Sequence, residues 1–301
     1  MRVWDSKPQP SPIDSCGSYR HGRAVYGFRA NGVVTLTTDF GWREPFVGIM
    51  KGVMLARSPN LKFVDMAHEV SAFQPIEAGF WMSRALRYFP AGTVHVAVVD
   101  PGVGTPRDLV IALANEQALL APDNGLLAPL AARGRIDMLV RVNPTRLVQF
   151  GVTDISATFH GRDVFAPLAA ELAAGRCHPA ELGDPVTALS TEGWPAVTAR
   201  VDGGLSGVIV AVDRFGNLIS NIEAGAVTAL ADPVVHIAGL RLPLRRTYGE
   251  AEKGDYLGLI NSFEVLEVAR ARGSAAQGLS LGVGAAISVV PGGLPAQFRR
   301  S

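Results

Sequence analysis

The sequence predicts an α/β N-terminal domain with a largely parallel sheet, followed by a small all-β barrel C-terminal domain. Three observations carry that expectation. From Gly32 to about Ala174, β-branched apolar runs alternate with segments of helical periodicity, the pattern of a sheet covered by helices. Between Cys177 and Val197, Pro179, Gly183, Pro185, Gly193 and Pro195 interrupt any periodicity and mark a boundary. Beyond it come short alternating runs separated by Gly-rich turns, with very little helix, which favours a closed or sandwiched β fold. The expected division is a flexible tail over 1–31, an α/β domain over 32–178, a linker over 179–197 and a β-barrel over 198–301.

In the first domain, Val33 to Thr37 reads as a strand, followed by Asp39-Phe40-Gly41 and a helix from Pro45 to Arg57 with Phe46, Met50, Val53 and Met54 on helical spacing. Leu61 to Val64 is a second strand and Pro75 to Tyr88 a second helix. Thr93 to Val99 is a third, buried strand that ends in Asp100-Pro101-Gly102. Strands follow at Leu109 to Leu113, Ala118 to Leu120 and Met138 to Val142, then a helix from Asp163 to Ala174. Polar residues just past the carboxyl ends of such strands line the ligand crevice, and Asp39 and Asp100 both fall there. In the second domain the strands are Ala199 to Val212, Leu218 to Asn221, Val234 to Ile237, Tyr256 to Ile260, Val265 to Val268 and Ala285 to Val290.

Composition narrows the function. With 48% hydrophobic and 18% charged residues in 301, the chain is a globular protein with a generous core. Lys+Arg at 28 against Asp+Glu at 27 leaves a net charge of +1, which provides no broad basic face, so nucleic acid is not an expected partner. Cys16 and Cys177 cannot form a disulfide framework, which fits a reducing compartment. The tail lacks the apolar core of a signal peptide. The apolar run Leu279 to Val290 is broken by Gly282 and Gly284 and falls short of the roughly 20 residues a bilayer span needs. A cytoplasmic protein without membrane association is expected.

Several constellations could carry chemistry. Asp39-Phe-Gly41 matches the metal-binding tripeptide of protein kinases, but no Gly-rich loop with a following Val-Ala-x-Lys precedes it and His160-Gly-Arg-Asp163 has the wrong order, leaving Asp39 as a turn residue or a ligand contact. In Asp100-Pro-Gly-Val-Gly-Thr105-Pro-Arg107, two glycines permit close backbone approach while an Arg stands ready to orient the carboxylate and keep it ionised. No Gly-Lys-Ser/Thr ends this loop, so it is not a phosphate cradle of the Walker type. His160, at a Gly-flanked bend before a helix, can present its imidazole to a cleft. Asp65-Met-Ala-His68 has no complementary ligands at metal spacing, so no metal is expected. Asp213-Arg-Phe215-Gly-Asn217 and Asn261-Ser262-Phe263 with Glu267 fall in turns between strands. Hairpins explain them locally, and their aromatic, amide and carboxylate groups also suit a nucleobase.

The order of the motifs is more specific than any one of them: Thr35-Leu-Thr-Thr-Asp39-Phe-Gly41, Phe46-Val-Gly-Ile-Met-Lys51-Gly, Gly92-Thr-Val-His-Val-Ala-Val-Val-Asp100-Pro-Gly-Val-Gly-Thr105, Pro122-Asp-Asn-Gly-Leu126 and Thr158-Phe-His-Gly-Arg-Asp163. From about Val33 to Pro291 the chain resembles the S-adenosyl-L-methionine (SAM) hydroxide adenosyltransferases, relatives of the fluorinases and chlorinases. The resemblance implies hydrolysis of SAM to adenosine and L-methionine without metal or organic cofactor, in a homotrimer whose site lies between one subunit's first domain and its neighbour's second. It places the catalytic trio on Asp100, Arg107 and His160, and the ribose contact on Asp39. Asn217, Ser262 and Glu267 fall around the base, with Asp213 and Phe215 beside them. Halogenating relatives carry Tyr at the positions of Asp100 and His160, and the fluorinase's halide-contacting Ser falls on Gly161, so the chain has the hydrolytic set. Pro106 stands where the family often has an acid. Within this resemblance either Asp100 or His160 can take the proton of the attacking water. The alternatives are a SAM-dependent halogenase, a metal-dependent phosphoesterase and a non-catalytic SAM or adenosine sensor.

Overall fold

The computed structural model describes residues 27–292. Most of the expected tail, including Cys16, lies outside the described residues. The first unit runs β1 (Val33–Thr38), α1 (Phe46–Arg57), β2 (Lys62–Ala67), α2 (Pro75–Ala85), β3 (Val94–Val98), β4 (Leu109–Ala114), β5 (Gln117–Pro122), α3 (Ala128–Ala132), β6 (Met138–Val142), α4 (Pro144–Leu147), α5 (Ala166–Ala173) and β7 (Gly183–Pro185). Its strands lie in the order β2-β1-β3-β5-β4-β6-β7.

The sheet is parallel across β2, β1, β3 and β5 and antiparallel from β5 outward. The local cause is the β4–β5 connection. Asn115 and Glu116 take φ of 51° and 59°, and two successive left-handed residues make a turn whose twist matches a hairpin. Helices cover both faces. On one face α1 and α5 pack Val47, Met50, Met54, Leu168 and Leu172 against Leu36 and Val96. On the other, α2 packs Ala78 and Met82 against Ala97 and Ala112. Because β3 and β5 are buried on both faces, both of their faces are apolar apart from His95 and Gln117, which hydrogen-bond each other at 2.8 Å. The expected helix from Asp163 starts at Gly161 as a π-helical turn through Phe165 and continues into α5.

The second unit contains β8 (Thr198–Ala199), β9 (Leu205–Val212), β10 (Leu218–Glu223), α6 (Ala224–Thr228), β11 (Pro233–Ile237), β12 (Leu240–Arg245), β13 (Tyr256–Ile260), β14 (Val265–Arg270), α7 (Ala275–Leu279) and β15 (Ala286–Pro291). The pairings β9-β10-β14-β13-β12-β11-β15 close back on β9 to give a seven-stranded barrel, with β8 added outside. Closure removes exposed edges, and the interior is filled by Ile209, Leu218, Ile222, Val235, Leu266 and Val289. The expected strand over Ala199 to Val212 is split into β8 and β9 by Gly203, at φ 79°, and Gly204. Strand β12 is additional. Its Pro243 argues against a strand in the sequence, yet is tolerated because pairing with β13 begins only at Leu244.

The two units pack through α2. Phe80 and Trp81 meet Val210, Ile219, Val265 and Phe263, and Arg84 donates 2.9 Å to Glu223 across the junction.

Candidate active site

Strands β1 and β3 are parallel neighbours with Thr38 opposite Val98, so Asp39 and Asp100 leave the same sheet edge side by side. The loop after β3 is held by Val103 N–H on the Asp100 carbonyl at 3.2 Å and Thr105 N–H on the Gly102 carbonyl at 3.1 Å. Gly104 adopts φ 80°, and a Cβ there would collide with the Ala157 carbonyl oxygen. That close approach packs the loop against the chain leading into His160. Asn124 of the Pro122-Asp-Asn-Gly motif donates 2.9 Å to the Val99 carbonyl, directly before Asp100.

The result is a compact cluster. Arg107 Nε donates to both Asp100 oxygens, at 2.9 and 2.7 Å, and Nη2 also bonds Oδ2. The same Nη2 donates to His160 Nδ1 at 2.9 Å. Pro106 therefore does not keep Arg107 from the carboxylate. The Asp100 side chain is 5% exposed and that of Arg107 11%. Since guanidinium can only donate, His160 Nδ1 is an acceptor, and the neutral ring carries its proton on Nε2. Burial lowers the His160 pKa, and the Arg107 cation lowers it further, against opposing contributions from Asp100 and Asp163. Asp163 is held at about 2, chiefly by the Arg162 hydrogen bond, and accepts 2.9 Å from Ser156 N–H, so it anchors the bend.

Asp39 Oδ2 accepts 3.1 Å from the N–H of Phe73, a residue for which the sequence gives no signal. Phe73 has φ 63° and is 71% exposed, and an aromatic residue in left-handed backbone is the kind of strain that collects at functional sites. Phe40 and Phe159, neighbours in sequence of Asp39 and His160, pack edge-on with Phe46 at 5.4 to 6.0 Å between ring centroids. A cavity of about 520 Å³ lies beside the loop that follows Asp100, lined by Phe73, Pro101, Gly102, Asn124, Val208 and Val283, but Asp39, Asp100, Arg107 and His160 do not line it. A larger hollow of about 1720 Å³ beside β6 and β7 touches none of the candidate residues.

The barrel residues form a second cluster. Asp213 Oδ1 accepts from the N–H groups of Phe215 and Asn217, each at 2.9 Å, and Oδ2 accepts from Asn217 Nδ2 at 2.9 Å. Asp213 thus organises the β9–β10 turn, with Phe215 77% exposed at its tip. Glu267 is buried and accepts from Tyr248 Oη at 2.8 Å and Asn261 Nδ2 at 3.0 Å. Burial raises its pKa against these two bonds, and burial together with the Glu267 hydrogen bond raises that of Tyr248. The sequence did not point to Tyr248, which reaches Glu267 from the β12–β13 connection. Ser262 is exposed, and its carbonyl accepts 2.6 Å from Arg87, which also pairs with Glu264 at 2.7 Å. Among the described residues, no hydrogen bond or ion pair joins this cluster to Asp39, Asp100, Arg107 or His160. Nor does any group of three or more His, Cys, Asp or Glu among them form a metal site. No helix among them is long and apolar enough to cross a membrane.

Fold and site define a two-part class, in which an α/β half carries the ionisable cluster and a barrel half carries aromatic, amide and carboxylate groups. The models for the SAM hydroxide adenosyltransferase N-terminal and C-terminal domains match residues 34–183 and 207–288, and the chain belongs to that family. A (R)-S-adenosyl-L-methionine hydrolase of Thermus thermophilus is 39% identical over 253 residues, covering 82% of this chain and 95% of its own. A more distant relative, a fluorinase of Actinopolyspora mzabensis, is 27% identical and covers 85% of this chain and 96% of its own. The crystal structure of an uncharacterized conserved protein from Thermotoga maritima superposes with a TM-score of 0.76 at 30% identity, covering 86% of this chain and 99% of that one.

Proposed function

We propose that the protein hydrolyses SAM to adenosine and L-methionine by in-line attack of water or hydroxide at the ribose C5′. The observation that carries this reading is Arg107, which bridges the Asp100 carboxylate and the His160 imidazole in one site. As the C5′–O bond forms, the C5′–S bond breaks and its electron pair returns to sulfur, giving a neutral thioether that needs no acid. The demand falls on the nucleophile, which must be oriented and relieved of a proton. With Nδ1 engaged by Arg107, His160 offers Nε2–H to hold the attacking oxygen. The proton passes to Asp100, the remaining acceptor. Arg107 fixes both groups and stabilises hydroxide character. Asp39 takes the ribose hydroxyls. Phe215, Asn217, Ser262 and Glu267 surround the base, with Asp213 holding their turn.

The hydrolase relative is more similar than the fluorinase, which favours water over halide. The relative's name specifies the (R) sulfonium, and we extend that preference to this chain. Among the described residues no hydrogen bond or ion pair joins the two clusters, and exposed aromatic rings lie beside them, among them Trp42 at 57%, Phe73 and Phe215. These features support a homotrimer in which a neighbour's barrel completes each site. The proposal includes the division into tail, α/β domain, linker and barrel, a cytoplasmic location, and no cofactor, nucleic acid or membrane. Purified protein given each SAM epimer with chloride and fluoride present tests it. Equimolar adenosine and methionine, faster from the (R) epimer, is the expected result. A 5′-halogenated nucleoside would establish a halogenase, and tight binding without turnover a sensor.

A further inference from the structure

His68 is singled out by the sequence and left unused by the proposed reaction. It is buried, and both ring nitrogens are engaged: Nδ1 lies 2.8 Å from Thr38 Oγ1 and Nε2 lies 2.8 Å from Asp65 Oδ1. Asp65 in turn accepts 2.6 Å from Lys51 Nζ, and the Trp42 ring packs edge-on against His68 at 4.5 Å. Thr38 Oγ1 also accepts from Phe40 N–H at 3.3 Å, while the His68 carbonyl accepts from Gly41 N–H at 2.6 Å. Donor counting assigns one arrangement. Asp65, already paired with a cation, takes Nε2–H, so Nδ1 accepts the Thr38 hydroxyl proton and Thr38 keeps a lone pair for Phe40. The reverse arrangement leaves the Thr38 hydroxyl proton without an acceptor at a fully buried site.

A Thr-His-Asp chain looks like an activated nucleophile, but Thr38 is 0% exposed and reaches no substrate. What the chain does reach is the backbone just after Asp39, at the N–H groups of Phe40 and Gly41. We infer that His68 is a positioning residue for nucleoside binding, holding the Asp39 loop through Thr38 Oγ1 and its own carbonyl. The inference rests on the reading of Asp39 as the ribose contact.

The test is a double-mutant cycle on adenosine affinity by calorimetry, with melting curves to verify folding. His68→Gln keeps a donor toward Asp65 and loses the acceptor for Thr38. His68→Asn keeps an acceptor near the Nδ1 position. Thr38→Val removes the hydroxyl without touching His68. His68→Gln and Thr38→Val should each weaken adenosine about 10-fold, the scale of one lost hydrogen bond in a site of this kind. His68→Asn should recover most of that loss, and neither weakening variant should add to Asp39→Ala. Equal losses in the Asp39 and Asp39→Ala backgrounds, or no loss in either, would overturn the positioning role. If Asp39→Ala itself left adenosine affinity unchanged, the reading of Asp39 would fall first and this inference with it.

Discussion

Replacing Arg107 separates its geometry from its charge. Arg107 serves two partners at once, through Nε and Nη2 to Asp100 and through Nη2 to His160. Arg107→Lys would keep the charge but place a single ammonium on one of them. Losing one charge-assisted bond at about 1.5–3 kcal/mol corresponds to roughly a 10- to 150-fold fall in kcat. Arg107→Gln forfeits both arms as charged bonds and should fall further. KM for SAM should change little in either, because the arms act on the nucleophile's holders. The pH profile gives the sharper distinction. Neutral His160 is the working form, and after burial the Arg107 cation is the next cause of its lowered pKa. In Arg107→Gln that contribution disappears, the His160 pKa rises, and the acid limb of kcat/KM must move to higher pH. In Arg107→Lys it should stay nearer the parent. An acid limb that stays put or moves down in Arg107→Gln would refute the assignment of His160 as a neutral partner of Arg107.

Asp100→Asn should lower kcat by about 100-fold or more, the range of general-base loss, with adenosine affinity retained by calorimetry. His160→Gln, which keeps an N–H donor, should retain more activity than Asp100→Asn; the opposite order would assign the proton to His160. Gly104→Ala would press a Cβ into the Ala157 carbonyl and should cost about 100-fold in kcat through displacement of the loop, with unchanged kinetics as the contrary result. His95, fully buried between Thr35 and Gln117, has its pKa pushed down to about 4 by burial, from an ordinary value of 6.5. The unfolded chain therefore binds the extra proton first, and stability should fall by up to about 3 kcal/mol between about pH 6.5 and 4 and then level off. Urea unfolding of His95→Gln should lack that slope; an identical slope would place the loss elsewhere.

The parts of the fold legible in the sequence are those set by short-range pattern. The runs at Val33, Thr93 and Val265 are continuous or β-branched enough to mark strands, and the Gly-rich texture after residue 200 marks the barrel. The placement of Asp39 and Asp100 just past strands and of His160 at a bend before a helix was legible, because each has its own local motif. What escaped depends on backbone states or long-range contact. Sheet direction turns on left-handed Asn115 and Glu116, where neither residue is glycine. Phe73 is positioned by its φ, and Tyr248 by a bond to a residue 19 positions away. Arg84 and Arg87 carry no motif of their own, yet both reach across the junction to the turn holding Ser262. His68 had no role in the sequence beyond a metal reading that lacked complementary ligands, because one of its partners, Thr38, lies 30 residues earlier on a neighbouring strand.

The central claim is water attack at C5′, and oxygen-18 water tests it most directly. Purified protein is incubated with SAM in labelled water and the products are weighed by mass spectrometry. Hydrolysis at C5′ predicts one heavy oxygen in adenosine, at the 5′ position, and none in methionine. Unlabelled adenosine, label in the amino acid fragment, or unconverted SAM would contradict it.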